Sequence, residues 1–183
     1  AKKVLSEVSF VAAEDTRITA RLLLSYGIHA ELVSYHEHNK ASRHESIADR
    51  IAGGETCALV TDAGMPAISD PGEDLVRLCA QSGITVTAIP GACAMVNALA
   101  LSALPTARFV FEGFLEGKTK QRREYLEDMK REKRTMIFYE APHDLLDTLQ
   151  LMCEVFGADR RVSLCRELTK LNEEIMRGTF ESA

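Results

Sequence analysis

The chain lacks any run of about 18 or more apolar residues, the length needed to cross a bilayer, and its first residues lack the charged-then-apolar pattern of a signal peptide. A cytoplasmic protein is therefore expected. There is no repeat at fixed period and no low-complexity tract, so neither a solenoid nor a disordered scaffold is implied. No full phosphate-binding glycine pattern occurs, which argues against a nucleoside triphosphate as ligand. The five cysteines (Cys57, Cys79, Cys93, Cys153 and Cys165) are odd in number, widely spaced and mostly set inside apolar segments. That pattern suits reduced thiols in a core better than disulfides or a metal cluster. Positive charge is also short: 22 Lys and Arg against 27 Asp and Glu leave a net charge of −5. This excludes a protein whose whole surface grips nucleic acid.

What is present is the balance of an ordinary folded protein, 46% hydrophobic and 27% charged over 183 residues, enough for one large domain or two small ones. The charge is unevenly spread. Residues 118–134 hold eight basic side chains, among them Arg122 and Arg123, against four acidic ones. Arg122 and Arg123 are thus candidates for a local polyanion contact. The plainer alternative is a solvated helix laced with opposite-charge pairs.

Apolar patterning predicts alternating strands and helices. A strand is expected over 8–13, then a helix whose Ile18, Leu22, Leu23 and Tyr26 share one face before Gly27. Ser42 and Glu45 have capping-box spacing and announce a helix with Ile47, Ala48 and Ile51 on one face. Cys57-Ala58-Leu59-Val60 reads as a strand buried on both faces, as in a parallel sheet. A helix carrying Leu75, Val76, Cys79 and Ala80, a strand over 84–89 and an Ala-rich helix over 92–101 follow. The periodicity lapses around Pro105, which predicts a domain boundary with units 1–104 and 105–183. The second unit reads as strand 108–114, charged helix 120–131, strand 135–139, a helix with Leu145, Leu146, Leu149, Met152 and Phe156 on one face, and strand 162–165. The fold class is α/β in both halves, and whether the second sheet is parallel is left open.

Two loops carry the strongest chemical signal. Thr61 through Gly72 packs two prolines, two glycines and two aspartates directly after a strand. In an open α/β sheet a ligand binds beyond the carboxyl ends of strands, where Gly and Pro let backbone approach it closely. A pair of tight turns is the plainer alternative. Pro90-Gly91-Ala92-Cys93-Ala94 similarly opens into a helix N-terminus.

An ordered set of motifs spans the chain: Glu14-Asp15-Thr16-Arg17, His36-Glu37-His38-Asn39, Asp62-Ala63-Gly64 through Asp70-Pro71-Gly72, Pro90-Gly91, Phe111-Glu112-Gly113-Phe114, Phe138 through His143, and Arg166-Glu167-Leu168-Thr169-Lys170 through Glu173-Glu174. Together they resemble the ribosomal RNA ribose 2′-O-methyltransferase I family, a branch of the tetrapyrrole methylase superfamily. The resemblance implies two α/β domains of tetrapyrrole-methylase type with S-adenosylmethionine in the cleft between them. It implies 2′-O-methylation of a cytidine ribose in small-subunit (16S) ribosomal RNA near the decoding site, with the 30S subunit as partner and a homodimer as assembly. It also implies a further strand and loop ahead of residue 1 and an extension after residue 183.

Position by position, Asp62, Gly64, Met65, Pro66 and Ile68 match the first cofactor loop and Cys93 and Ala94 the second. Tyr139 and Leu168 match cofactor-facing strand ends. Asp144 stands where an arginine often follows the histidine of the Phe138–His143 motif.

Methyl transfer from a sulfonium to a hydroxyl is chiefly a positioning problem and needs no metal. For the hydroxyl proton the candidates are Asp15, Glu14, His36 and His38; Arg17 is suited to a phosphate and Lys170 to a developing alkoxide. A helix N-cap is the plain alternative for Glu14-Asp15-Thr16. A zinc site on His36, His38 and His44 is disfavoured because no cysteine lies nearby. The rival readings are a precorrin or uroporphyrinogen C-methyltransferase and a non-catalytic interaction module with a degenerate cofactor cleft.

Overall fold

In the computed structural model, which describes residues 1–183 except the side chain of residue 41, the first sheet is built around Phe10-Val11-Ala12-Ala13. All four residues of this strand, β1 (Phe10–Ala13), are fully buried, as a strand covered on both faces must be. α1 (Lys2–Glu7) precedes it; α2 (Thr16–Ser25), β2 (Glu31–Ser34), α3 (Lys40–Ala52), β3 (Cys57–Val60) and α4 (Glu73–Gln81) follow. The sheet is parallel in the order β2-β1-β3. Alternate side chains of β1 point to opposite faces. Phe10 and Ala12 enter a cluster with Ile47 and Ala48 of α3 and Leu75 and Cys79 of α4. Val11 packs with Leu5 of α1 and Leu23 of α2. Because the strands are parallel, the loops that leave them emerge at one carboxyl edge.

Several expectations are corrected. Of the face expected for α2, Leu23 is buried, whereas Ile18, Leu22 and the C-cap Tyr26 are 45, 46 and 43% exposed and Thr19 takes the other buried position. The buried stripe lies one residue along, about 100° around the helix. α3 starts at Lys40, ahead of Ser42. Asn39 is spent upstream, accepting from the His36 N–H and donating to the Ser34 carbonyl, while Ser42 donates back to the Asn39 carbonyl. Residues 84–89 join none of the sheets among the described residues, and Val86 and Ile89 are half exposed. Without a ladder partner an apolar run does not become a strand.

The second unit holds α5 (Ala94–Leu101), β4 (Phe109–Phe114), α6 (Thr119–Asp128) with a 3₁₀ turn at Met129–Arg131, β5 (Thr135–Tyr139), α7 (Leu145–Phe156), β6 (Arg161–Arg166) and β7 (Glu174–Thr179). β4 pairs parallel with β5, with a register shift between Phe111 and Gly113, and β6 and β7 form an antiparallel hairpin. Leu115, Leu126, Leu151, Met152 and Val155 make its core. Of the face expected for α7, Leu146 proves 73% exposed. All five cysteine thiols are free. Among the described residues no helix is long and apolar enough to cross a membrane.

The division between units falls at 92/93 and not at the expected 104/105, because α5 is tied to the second unit. The Met95 N–H donates to the Tyr139 phenol oxygen at 3.1 Å. Arg177 donates twice to the Leu101 carbonyl, at 2.9 and 2.7 Å, and Arg161 to the Ala103 carbonyl at 2.9 Å. Two cations therefore sit at the carbonyl end of α5, where positive charge is favoured.

Candidate functional site

At the carboxyl edge of the first sheet, the loops after β1 and β3 are joined by the Asp62 N–H, which donates to Glu14 Oε2 at 3.1 Å. Asp15 is the N-cap of α2: its Oδ1 accepts the Arg17 N–H at 2.8 Å, and the Arg17 guanidinium grips both oxygens at 3.0 and 2.6 Å. That side-chain hydrogen bonding, reinforced by the backbone one, holds the Asp15 carboxyl well below the usual range. Asp15 is thus a helix cap with Arg17 as its counter-ion, the plain alternative that the sequence offered, and both side chains stand at the carboxyl edge of the first sheet.

Asp70, at the end of the same loop, behaves oppositely: burial first, then the charges of Glu14 and Asp62, raises its carboxyl. His36 follows β2 with its backbone N–H on Asn39 Oδ1 at 2.8 Å and its Nδ1 buried without a hydrogen-bond partner. The His36 and His38 rings meet edge-on at 6.0 Å. Among the described residues no three His, Cys, Asp or Glu side chains gather to hold a metal.

The loop between β3 and α4 is conformationally unusual. Gly64, Ala67, Ser69 and Gly72 have φ of 84°, 68°, 56° and 144°. At Gly72 a Cβ would stand 2.6 Å from Leu59 Cδ2, so only glycine fits. The two non-glycine residues cost on the order of 1 kcal/mol or more each. A plain connector has no need of such strain, which favours a loop shaped for a ligand. Within it Asp62 and Gly64 are exposed, while Met65, Pro66 and Ile68 are half-buried.

In the second unit a cavity of about 710 Å³ is lined by Ala94, Tyr139 and Leu168, three of the expected cofactor contacts, together with Phe114, Glu140 and Leu164. Cys93 is the N-cap residue of α5 and does not line it. The Tyr139 ring stands edge-on to Phe111 and Phe114 at 5.0 and 5.5 Å, and its hydroxyl is fixed by the Met95 N–H. Leu168 is flanked by Glu167 and Thr169, both left-handed at φ 51° and 66°. Lys170 lies 3.1 Å from Glu167 on the same loop, is 66% exposed and does not line the cavity. In this structure it makes a loop ion pair with Glu167.

Arg122 and Arg123 are also redirected. Arg122, only 21% exposed, donates to the Gly117 carbonyl and Thr148 Oγ1 and lies 3.9 and 3.6 Å from Glu140 and Asp144. Arg123 pairs with Glu154. Both spend their charge inside the unit. Lys118, Arg131 and Lys133 of the same segment are exposed and have no ion-pair partner among the described residues.

The model of the Tetrapyrrole (Corrin/Porphyrin) Methylases matches residues 1–183. The chain is 54% identical over 181 residues to a protein from Halalkalibacterium halodurans named ribosomal RNA small subunit methyltransferase I, covering 99% of this chain and 62% of the relative. A protein of the same name from Pseudomonas aeruginosa is 50% identical over 175 residues, covering 96% and 62%. The chain thus spans less than two thirds of these relatives' length. Among solved structures, the methyltransferase CobJ superposes with a TM-score of 0.70 at 18% identity, covering 99% of this chain and 79% of that one. Uroporphyrin-III C-methyltransferase from Thermus thermophilus, complexed with S-adenyl homocysteine, superposes with a TM-score of 0.62 at 15% identity, covering 100% and 81%.

Proposed function

This chain belongs to the tetrapyrrole (corrin/porphyrin) methylase family, and we propose that it forms part of an S-adenosylmethionine-dependent enzyme methylating the ribose 2′-hydroxyl of a cytidine in 16S ribosomal RNA near the decoding site. The relatives' shared name supports the RNA substrate. The observation that carries the cofactor half is the second unit's cavity. At about 710 Å³ it falls within the range of about 300–1,000 Å³ that small-molecule sites occupy. Apolar walls, several aromatic rings and a few polar atoms suit a nucleoside.

When bound, the cofactor supplies a methyl group activated on a sulfonium. Ala94, Tyr139 and Leu168 are the proposed contacts of the second unit, and Asp62, Gly64, Met65, Pro66 and Ile68 those of the first. For the hydroxyl proton the proposed groups are Asp15 and His36, which follow β1 and β2 at the carboxyl edge of the first sheet, with Arg17 toward a phosphate and Lys170 toward the developing alkoxide. Lys118, Arg131 and Lys133 take the phosphate contacts first expected of Arg122 and Arg123. The partner is the 30S subunit, the assembly a homodimer and the setting the cytoplasm.

The test is labelled-methyl transfer by the full-length protein to small subunits from cells lacking the enzyme, beside uroporphyrinogen, with cofactor binding followed by calorimetry. Label on a cytidine ribose is expected. Transfer to the tetrapyrrole, or no cofactor binding, overturns the reading.

A further inference from the structure

We propose that Glu140 reads the ribose of a nucleoside ligand, its free lone pairs accepting the two adjacent hydroxyls; the inference rests on the nucleoside-cavity reading above. Glu140 directly follows β5, next to Tyr139, and lines the cavity while its side chain is only 11% exposed. A carboxylate offers about four acceptor sites. Two are filled: Oε1 accepts the Ala141 N–H at 2.9 Å and Oε2 accepts the Thr148 hydroxyl at 2.6 Å. The Arg122 guanidinium, 3.9 Å away, supplies compensating charge but is too far for a hydrogen bond.

One acceptor site on each oxygen is therefore left over at a cavity wall, open to a hydroxyl donor from a ligand. The carboxylate is held still from three sides, since Arg122 is itself fixed by the Gly117 carbonyl and Asp144. Such a rigid pair of oxygens matches a vicinal diol, whose two O–H donors are spaced to meet one carboxylate. Buried acceptors built for hydroxyl donors discriminate strongly against ligands that lack them.

The experiment measures binding of S-adenosylhomocysteine and of its 2′-deoxy and 3′-deoxy analogues to the full-length protein by calorimetry. Wild type should bind each analogue about 10- to 100-fold more weakly than the parent, the range of a hydrogen bond to a charged group. Glu140→Gln should weaken parent binding by a similar factor and erase the discrimination. Glu140→Asp keeps the charge beside Arg122 and guards against misfolding of the first variant; it should also lose discrimination while its melting temperature holds. Equal binding of parent and analogues by wild type, or discrimination retained in both variants, overturns the role of Glu140. Absence of any parent binding to wild type overturns the cavity reading itself, and with it this inference.

Discussion

Replacing Arg122 and Arg123 separately by alanine distinguishes an internal network from a surface charge. Arg123 and Glu154 are 44 and 59% exposed, and an exposed pair contributes about 0–1 kcal/mol. Arg122 is different. Its removal leaves Glu140, 11% exposed, without its cation and strips hydrogen bonds from the Gly117 carbonyl and Thr148. Breaking a fully buried pair costs about 3–5 kcal/mol. Here the carboxylates lie at 3.6 and 3.9 Å and Asp144 is 40% exposed, so about 2 kcal/mol is expected. For a chain of this size that lowers the melting temperature by about 4–8 °C, against about 0–3 °C for Arg123→Ala. Thermal denaturation followed by circular dichroism reads the difference. RNA affinity against salt supplies a second measure: Arg122→Ala should leave the slope unchanged, since its charge is already spent, whereas losing a true phosphate contact would flatten the slope by about one. Equal melting shifts, together with a flattened slope for Arg122→Ala, would refute the network and restore the arginine to the RNA.

Burial pushes the Cys57 thiol up to about 11, so at pH 8 only about a thousandth is thiolate; it should resist maleimide until the protein unfolds, and rapid native labelling would contradict its placement. Gly72→Ala meets Leu59 at a φ of 144° and should cost about 1–3 kcal/mol in urea denaturation; an unchanged midpoint would mean the loop is relaxed. Asp70, raised above its ordinary 3.8, binds its proton more tightly folded than unfolded. Its contribution is thus present below pH 4 and lost as pH rises through the raised value. Asp70→Asn should then raise the melting temperature at pH 7 by about 1–3 °C, since solvent screening keeps the effect near 1 kcal/mol or less. The gain should shrink toward pH 4, and a pH-independent effect would show that the carboxyl is not desolvated.

The strands that sequence reveals are those whose apolar residues run together. β1 and β3 are buried or half-buried throughout and are legible as short apolar runs. β2 offers only Leu32 and Val33, and β7 interrupts its apolar residues with Arg177 and Gly178; both become strands because a neighbour's backbone is there to pair with. Residues 84–89 are the converse, with strand composition and no ladder. The unit boundary was hidden for a similar reason. Pro105 marks a break in periodicity, but the arginines that bind α5 to its unit stand 58 and 76 residues further along the chain.

The same distinction between local and distant partners governs the site. Loop 61–72 was legible because glycine and proline restrict backbone locally, and its left-handed residues follow from that. Glu14-Asp15-Thr16-Arg17 was ambiguous because a cap and a catalytic carboxylate use the same residue types, and the grip of Arg17 on Asp15 shows the cap. The basic segment was legible as a region only. Counting charge over 118–134 cannot see that Arg122 meets Thr148 26 residues away or that Arg123 meets Glu154 31 residues away. Once those internal pairs are withdrawn, Arg131 and Lys133, at and just after the 3₁₀ turn that ends α6, have no ion-pair partner among the described residues, and Lys133 also lines the cavity. The positive charge available to an RNA backbone thus shifts from the middle of the helix toward its end. There a phosphate contact and the second unit's cavity would share a residue, so replacing Lys133 should weaken RNA binding where replacing Arg122 does not.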